Sequence, residues 1–404
     1  MEPIQSYKPQ LIIRCVRGLS LAGYLYFTLW RLIPLRQRTE MSPAAAPLDD
    51  ENLLPEILLR LSPHPSSLPR ASAVCKRWLL VVSDPDFALR FHRRHRPSPP
   101  FLGCFIHHSR GISYAPTMDS PDRVPAGRFS LQLDDSHRFW FLGCRHGLAL
   151  VFHRSRKLVL VWDPVTGDQH RIAVPPGFNV NENPMHGAVL RAAGEVDHFQ
   201  VVLVEAVGVA KQHTRKLACV YSSETGVWGN LTSMSVQSKG TFTLYFTGTS
   251  SVLVGSSLYW LIDGDFVGIL EFNLERHSLA VIEVPVDMFE RYSDFALTQA
   301  DDGGLGLIIL TGCNARLWKR EAGCDGVASW AMGTTIELDK LLSLHSMKEK
   351  GTLTILGCAE ENNVVFLSAV DGVFMVELEP LQFKKLHVLQ LALLLSIRKC
   401  LHCR

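Results

Sequence analysis

Hydrophobic positions follow two different periods along this chain. In residues 48–82 the period is helical. Leu54, Ile57, Leu58 and Leu61 fall at i, i+3, i+4 and i+7, on one face of a helix that Asp49 and Asp50 are placed to cap. Ser62-Pro63-His64-Pro65-Ser66-Ser67 ends that helix. A second helix is predicted through Leu68, Ala71, Cys75, Trp78 and Val82, spaced 3, 4, 3 and 4, and Asp84-Pro85 stops it. Phe87 and Phe91, four apart, predict a third short helix, with Arg90, Arg93, Arg94, His95 and Arg96 as a solvated basic side. Two short amphipathic helices in about 35 residues bury too little surface to stand alone. Their apolar faces need a partner, in this chain or on another protein.

After Pro97-Ser98-Pro99-Pro100, which marks a domain boundary, the pattern becomes strand-like from Phe101 onward. Short β-branched and aromatic runs are predicted as strands at 148–152, 158–162, 200–204, 251–254, 258–262, 305–310, 352–356 and 364–367. A repeat is also visible. Val161-Trp162-Asp163-Pro164-Val165-Thr166-Gly167 aligns with Val220-Tyr221-Ser222-Ser223-Glu224-Thr225-Gly226, and weaker copies lie at Phe272, Trp318 and Val376. The anchors at 162, 221, 272, 318 and 376 are spaced by 59, 51, 46 and 58 residues, near the period of β-propeller blades with loop insertions. The expected fold is therefore mainly β with a small α module: a helical domain at 48–96, then a β-propeller of about six blades at 101–386. Closure of the ring is expected where residues 101–114 meet residues 364–378.

The helical segment resembles the F-box family. The residues carrying the resemblance are Leu54-Pro55-Glu56-Ile57-Leu58-Leu59-Arg60-Leu61, Leu68, Val74-Cys75-Lys76-Arg77-Trp78 and Asp84-Pro85 followed by Phe87. Leu79 departs from the pattern, since many members carry Arg there. The resemblance implies a module that docks on the Skp adaptor of a cullin-type ubiquitin ligase. The implied adaptor-face candidates are Leu54, Pro55, Ile57, Leu58, Leu61, Leu68, Val74, Cys75 and Trp78, some of which must instead hold the helices together. Beyond Phe101 the chain resembles the propeller-like associated domain of many plant F-box proteins, through Gly143-Cys144-Arg145-His146-Gly147, residues 161–167, 220–228 and 253–260.

The two ends do not fit this pattern. An apolar run at 18–30, flanked by Arg14, Arg17, Arg31, Arg36 and Arg38, falls short of the roughly 20 residues of a spanning helix. Residues 1–40 are read as an extension outside the fold, with Met41 as the functional start; the alternative is a membrane anchor. Residues 387–404 form an atypical tail, whose apolar run 388–397 suits a helix packed outside the ring.

The net charge of +2 argues against broad binding to nucleic acid. Ten scattered cysteines read as reduced thiols of a cytosolic or nuclear protein. Cys400-Leu401-His402-Cys403 lacks a second ligand pair, and Gly303-Gly304-Leu305-Gly306 lacks dinucleotide-binding spacing, so neither a metal nor a cofactor is expected. Arg145-His146-Gly147 reads as a turn with no catalytic role, and Trp140, Trp162, Trp228, Trp260, Trp318 and Trp330 as blade core, the alternative being that some line a recognition face. On the family resemblance, the expected function is that of a substrate receptor without catalytic residues. The partners the resemblance implies are a Skp-type adaptor, through it a cullin, and a target protein held for ubiquitination. The alternatives are an F-box scaffold outside a ligase and, in a different class, a propeller-based hydrolase or lyase.

Overall fold

The computed structural model describes residues 12–17, 53–95, 100–108, 111–129, 131, 139–179, 185–191, 198–210, 213–237, 245–246, 250–263, 267–285, 294–322, 328–344, 353–369 and 372–386. The Asp49-Asp50 cap, the linker at 42–47, the apolar runs 18–30 and 388–397 and the Cys400–Cys403 half-site lie outside the described residues.

Among its described residues the N-terminal module has four helices: α1 Leu53–Leu58, α2 Ser67–Ser72, α3 Lys76–Ser83 and α4 Pro85–His95. The second predicted helix is thus two. The Ser72 hydroxyl donates back to the Pro69 carbonyl at 2.7 Å, and the Ala73 amide donates to the carbonyls of Pro69 and Arg70, which closes α2. Cys75 is then extended, with φ −161° and ψ 170°, and α3 starts anew. The chain breaks again at Asp84, whose carboxylate accepts the amides of Asp86 at 2.7 Å and Phe87 at 3.2 Å. That is an N-cap, and Pro85 occupies the first helical position, where a missing N–H costs nothing. The module's core gathers Leu54, Leu58, Leu59, Leu68, Ala71, Val82, Phe87 and Phe91, with Leu61, Trp78 and Val81 packed against it. Arg90, Arg93 and Arg94 on the outer side of α4 are exposed, and Arg90 pairs with Glu56 of α1.

Among the described residues six antiparallel sheets follow around a ring, five of four or five strands and one of three. The second sheet is representative: Phe139–Arg145, Leu148–His153, Leu158–Trp162 and Gln169–Ala173 pair in sequence order. Its middle strands are packed between neighbouring sheets and buried on both faces, so they read as apolar runs without alternation. The outer strand is mostly exposed and polar. Second and third sheets share one apolar layer, in which Leu150 and Val161 meet Val201 and Leu203. Third and fourth share another, centred on Val202, Trp260 and Phe272.

The repeat seen in the sequence is the blade itself. Residues 161–167 end the third strand of the second sheet and turn into its fourth, and residues 220–226 do the same in the third sheet. Gly167 and Gly226 take φ +86° and +72°, and their amides return to Asp163 and Ser222. The copies at Phe272, Trp318 and Val376 likewise lie in third strands.

The ring closes where the first and last sheets pack together, as expected. Cys104, Ile106 and Ala115 share a core with Val364, Phe366, Val373 and Met375, and the Phe101 and Phe366 rings lie 6.1 Å apart. One expectation is corrected. Residues Ile12–Arg17, placed outside the fold by the sequence, form a strand antiparallel to Phe101–His108, beside the innermost strands of the second and sixth sheets. The reason is geometric: Phe101–His108 and Gly111–Pro116 alone would leave the innermost position of the first sheet without backbone partners.

Candidate protein-binding sites

The nine adaptor-face candidates divide into two groups. Leu54, Leu58 and Leu68 are buried in the module's own core, with Leu58 at 0% exposure. That corrects their assignment to a docking face: they hold the helices together. Pro55, Ile57, Leu61 and Trp78 are half-buried, and Val74 and Cys75 are exposed. Val74 is 61% exposed because it lies in the turn between α2 and α3, off the helical stripe that the 3-4 spacing assumed. The structure adds Leu53, Leu80 and Leu89 to the exposed apolar residues, Leu80 at 72%. Leu80 is two residues from the inward-facing Trp78 and Val82, so it points away from the core. An apolar residue off the core stripe of a short helix was the available signal.

Arg145-His146-Gly147 is a turn, as read. His146 and Gly147 both have positive φ, +51° and +77°, and they join the first two strands of the second sheet in a two-residue hairpin. His146 Nδ1 accepts the Arg191 amide at 3.1 Å, and the Arg191 guanidinium reaches Asp163 at 3.2 Å. The turn has a second role that the sequence did not disclose. It carries Arg145 into the mouth of the central channel, where the guanidinium donates from Nε to Glu360 Oε1 at 2.7 Å and from a terminal nitrogen to the Ser251 carbonyl at 2.8 Å. The other oxygen of Glu360 accepts the Leu253 amide at 2.8 Å. Second, fourth and sixth sheets are joined across the channel by one ionic group.

This mouth is also lined by Cys144 and Cys358. Burial, reinforced by the Glu360 carboxylate, pushes the Cys358 thiol up to about 12, the opposite of what a nucleophilic thiolate needs. Among the described residues no group of three His, Cys, Asp or Glu side chains is placed to hold a metal ion. Among those residues, too, no helix is long and apolar enough to cross a membrane. Trp162 and Trp260 are core, as expected. Trp140, Trp228, Trp318 and Trp330 are partly buried against it, and Trp228 Nε1 donates to the Ala173 carbonyl at 2.8 Å across the second and third sheets.

Residues 140–392 match the model of the family described as F-box protein AT5G49610-like, beta-propeller. F-box protein At5g03970 of Arabidopsis thaliana is 23% identical over 288 residues, which are 68% of this chain and 66% of that protein. Putative F-box protein At3g16210 of the same plant is 24% identical over 248 residues, 58% of this chain and 60% of that protein. The match thus spans a little under two thirds of each relative's length. Among solved structures the chain is similar to apo AztD from Citrobacter koseri, at 10% identity and a TM-score of 0.37, over 70% of this chain and 82% of that one. The family match covers more than half of the chain, four of the six sheets wholly and a fifth almost so, and by it this protein belongs to the F-box proteins with an AT5G49610-like β-propeller.

Proposed function

We propose that this protein is the substrate-receptor subunit of an SCF-type ubiquitin ligase. Its helical module docks on a Skp-type adaptor and through it a cullin, and its propeller holds a target protein. The observation that supports this reading is the module's division of labour. A closed apolar core uses Leu54, Leu58, Leu68, Phe87 and Phe91, and a second apolar set of Leu53, Val74 and Leu80 is left outside it. That second set is exposed and therefore available to a docked partner, as the receptor reading requires.

The chain performs no covalent step of its own in this reading. It acts by proximity, raising the local concentration of target lysines beside a charged conjugating enzyme. The polar groups at the channel mouth serve the ring: Arg145 and Glu360 are engaged with each other and with backbone. A cytosolic or nuclear location fits the described cysteines, six of which are free thiols.

Co-purification from plant cells tests the proposal. Recovery of adaptor and cullin together is expected. Recovery of adaptor alone would favour a scaffold outside a ligase, and recovery of neither would overturn the assignment.

A further inference from the structure

The helical module and the ring have separate cores, and among the described residues the Asp122 carboxylate of the ring bonds to the module. Asp122 stands in the 117–122 turn that follows the last strand of the first sheet. Its Oδ1 accepts the Ser66 amide at 2.9 Å, and its Oδ2 lies 3.5 Å from His64 Nδ1. Both residues belong to the loop between α1 and α2. Neither partner is on a loose segment. On the ring side, Met118 and Val124 bracket Asp122 and pack into the layer between the first and second sheets. The Asp122 amide donates to the Asp119 carbonyl at 2.9 Å, and Lys384 of the last sheet donates to the Thr117 carbonyl at 2.8 Å and to Asp119 at 2.5 Å. On the module side, Leu61 and Leu68 flank the loop and pack into the helical core.

We propose that Asp122 is the positioning residue that fixes the angle between the adaptor-docking module and the propeller. This rests on the receptor reading for its purpose, though not for its geometry. In a receptor that works by proximity, the distance from target to conjugating enzyme is set by the angle at this joint. The chain connection at residues 96–99 is short, but a short connection limits separation more than orientation. A hydrogen bond to an ionised acceptor between two packed cores limits orientation. Charge supports the geometry. Burial works to raise the Asp122 carboxyl, but the Ser66 hydrogen bonds and the nearby His64 and Arg70 outweigh it and hold the group below its ordinary value.

The test uses the full chain without any adaptor, so its outcome is independent of the ligase assignment. Spin labels are placed at Arg93 on the module and Glu275 on the ring through a non-cysteine handle, both positions being exposed. Wild type is expected to give one narrow distance distribution. Asp122→Ala is expected to broaden it and to speed hydrogen exchange of the Ser66 amide about tenfold, with exchange inside the module core unchanged. Asp122→Asn keeps an acceptor oxygen but loses the charge, and is expected to fall between the two. A distribution as narrow as wild type in Asp122→Ala, or an unchanged Ser66 exchange rate, would overturn the proposal.

Discussion

Arg145 and Glu360 stand 215 residues apart in the chain and 2.6 Å apart at the mouth of the channel. Their side chains are 6% and 13% exposed, so solvent screens the pair weakly. Removing one partner leaves the other charge largely buried, which is far costlier than the pair itself is stabilising. Arg145→Ala is expected to destabilise the ring by about 3 kcal/mol. Arg145→Met with Glu360→Leu is expected to cost less than the sum of Arg145→Met alone and Glu360→Leu alone, which with wild type make a cycle of four proteins. Denaturation midpoints of the four proteins measure this; additive losses would show that the two side chains do not act as a pair.

Leu58 and Val74 are both apolar candidates of the docking module, yet burial separates their roles. Leu58→Ala opens a cavity in a core at 0% exposure and is expected to cost about 3 kcal/mol of the module's stability. Val74→Asp, at a 61% exposed position, is expected to leave the fold intact. Helical signal by circular dichroism during thermal melting distinguishes them. Equal melting curves for the two variants would contradict the division of core and surface.

A chain beginning at Met41 lacks residues 12–17 and with them the innermost strand of the first sheet. It is expected to melt at a lower temperature than the full chain, by several degrees. An unchanged transition would return this segment to the status of an extension outside the fold.

Lys216 is fully buried in the third sheet, and burial lowers its pKa to about 7. In the unfolded chain a lysine titrates near 10.4, so between these values the unfolded state holds a proton the native state does not. Stability from this group therefore rises as pH increases from about 7 to about 10.4. Burial pushes the Cys104 and Cys358 thiols up, which acts in the opposite sense above their ordinary values. The difference between wild type and Lys216→Met isolates the lysine: the variant is expected to be more stable at pH 7 and to lose that advantage toward pH 10. A pH-independent difference would contradict the assignment.

Much of this architecture was legible because it is local. Third strands such as Leu158–Trp162 carry their own apolar run and their own turn chemistry, so the blade repeat is visible in sequence. The helical stripe of Leu54, Leu58 and Leu68 was equally plain, but a stripe marks what is buried without saying against what. That is why core residues entered the docking list and Leu80, off the stripe, did not. Ties between distant residues were invisible. Nothing near Arg145 announces Glu360, and nothing near Ser66 announces Asp122, because groups 215 and 56 residues apart in sequence meet only in the folded chain, the first pair across the channel and the second between module and ring. Ile12–Arg17 was missed because a short segment carrying Arg14 and Arg17 before a longer apolar run looks like the basic start of a leader until the vacant place in the first sheet is known.

The proposed docking of the helical module is tested most directly by titrating a purified Skp-type adaptor into the full chain and into a Val74→Asp, Leu80→Asp double variant. Truncated or charged anchors at the centre of an interface cost about 2 kcal/mol or more, and 2.8 kcal/mol is about a hundredfold in affinity. The expected result is saturable binding by wild type and at least a hundredfold loss in a double variant whose melting curve is unchanged. Equal binding by both proteins, or none by wild type, would contradict the proposal.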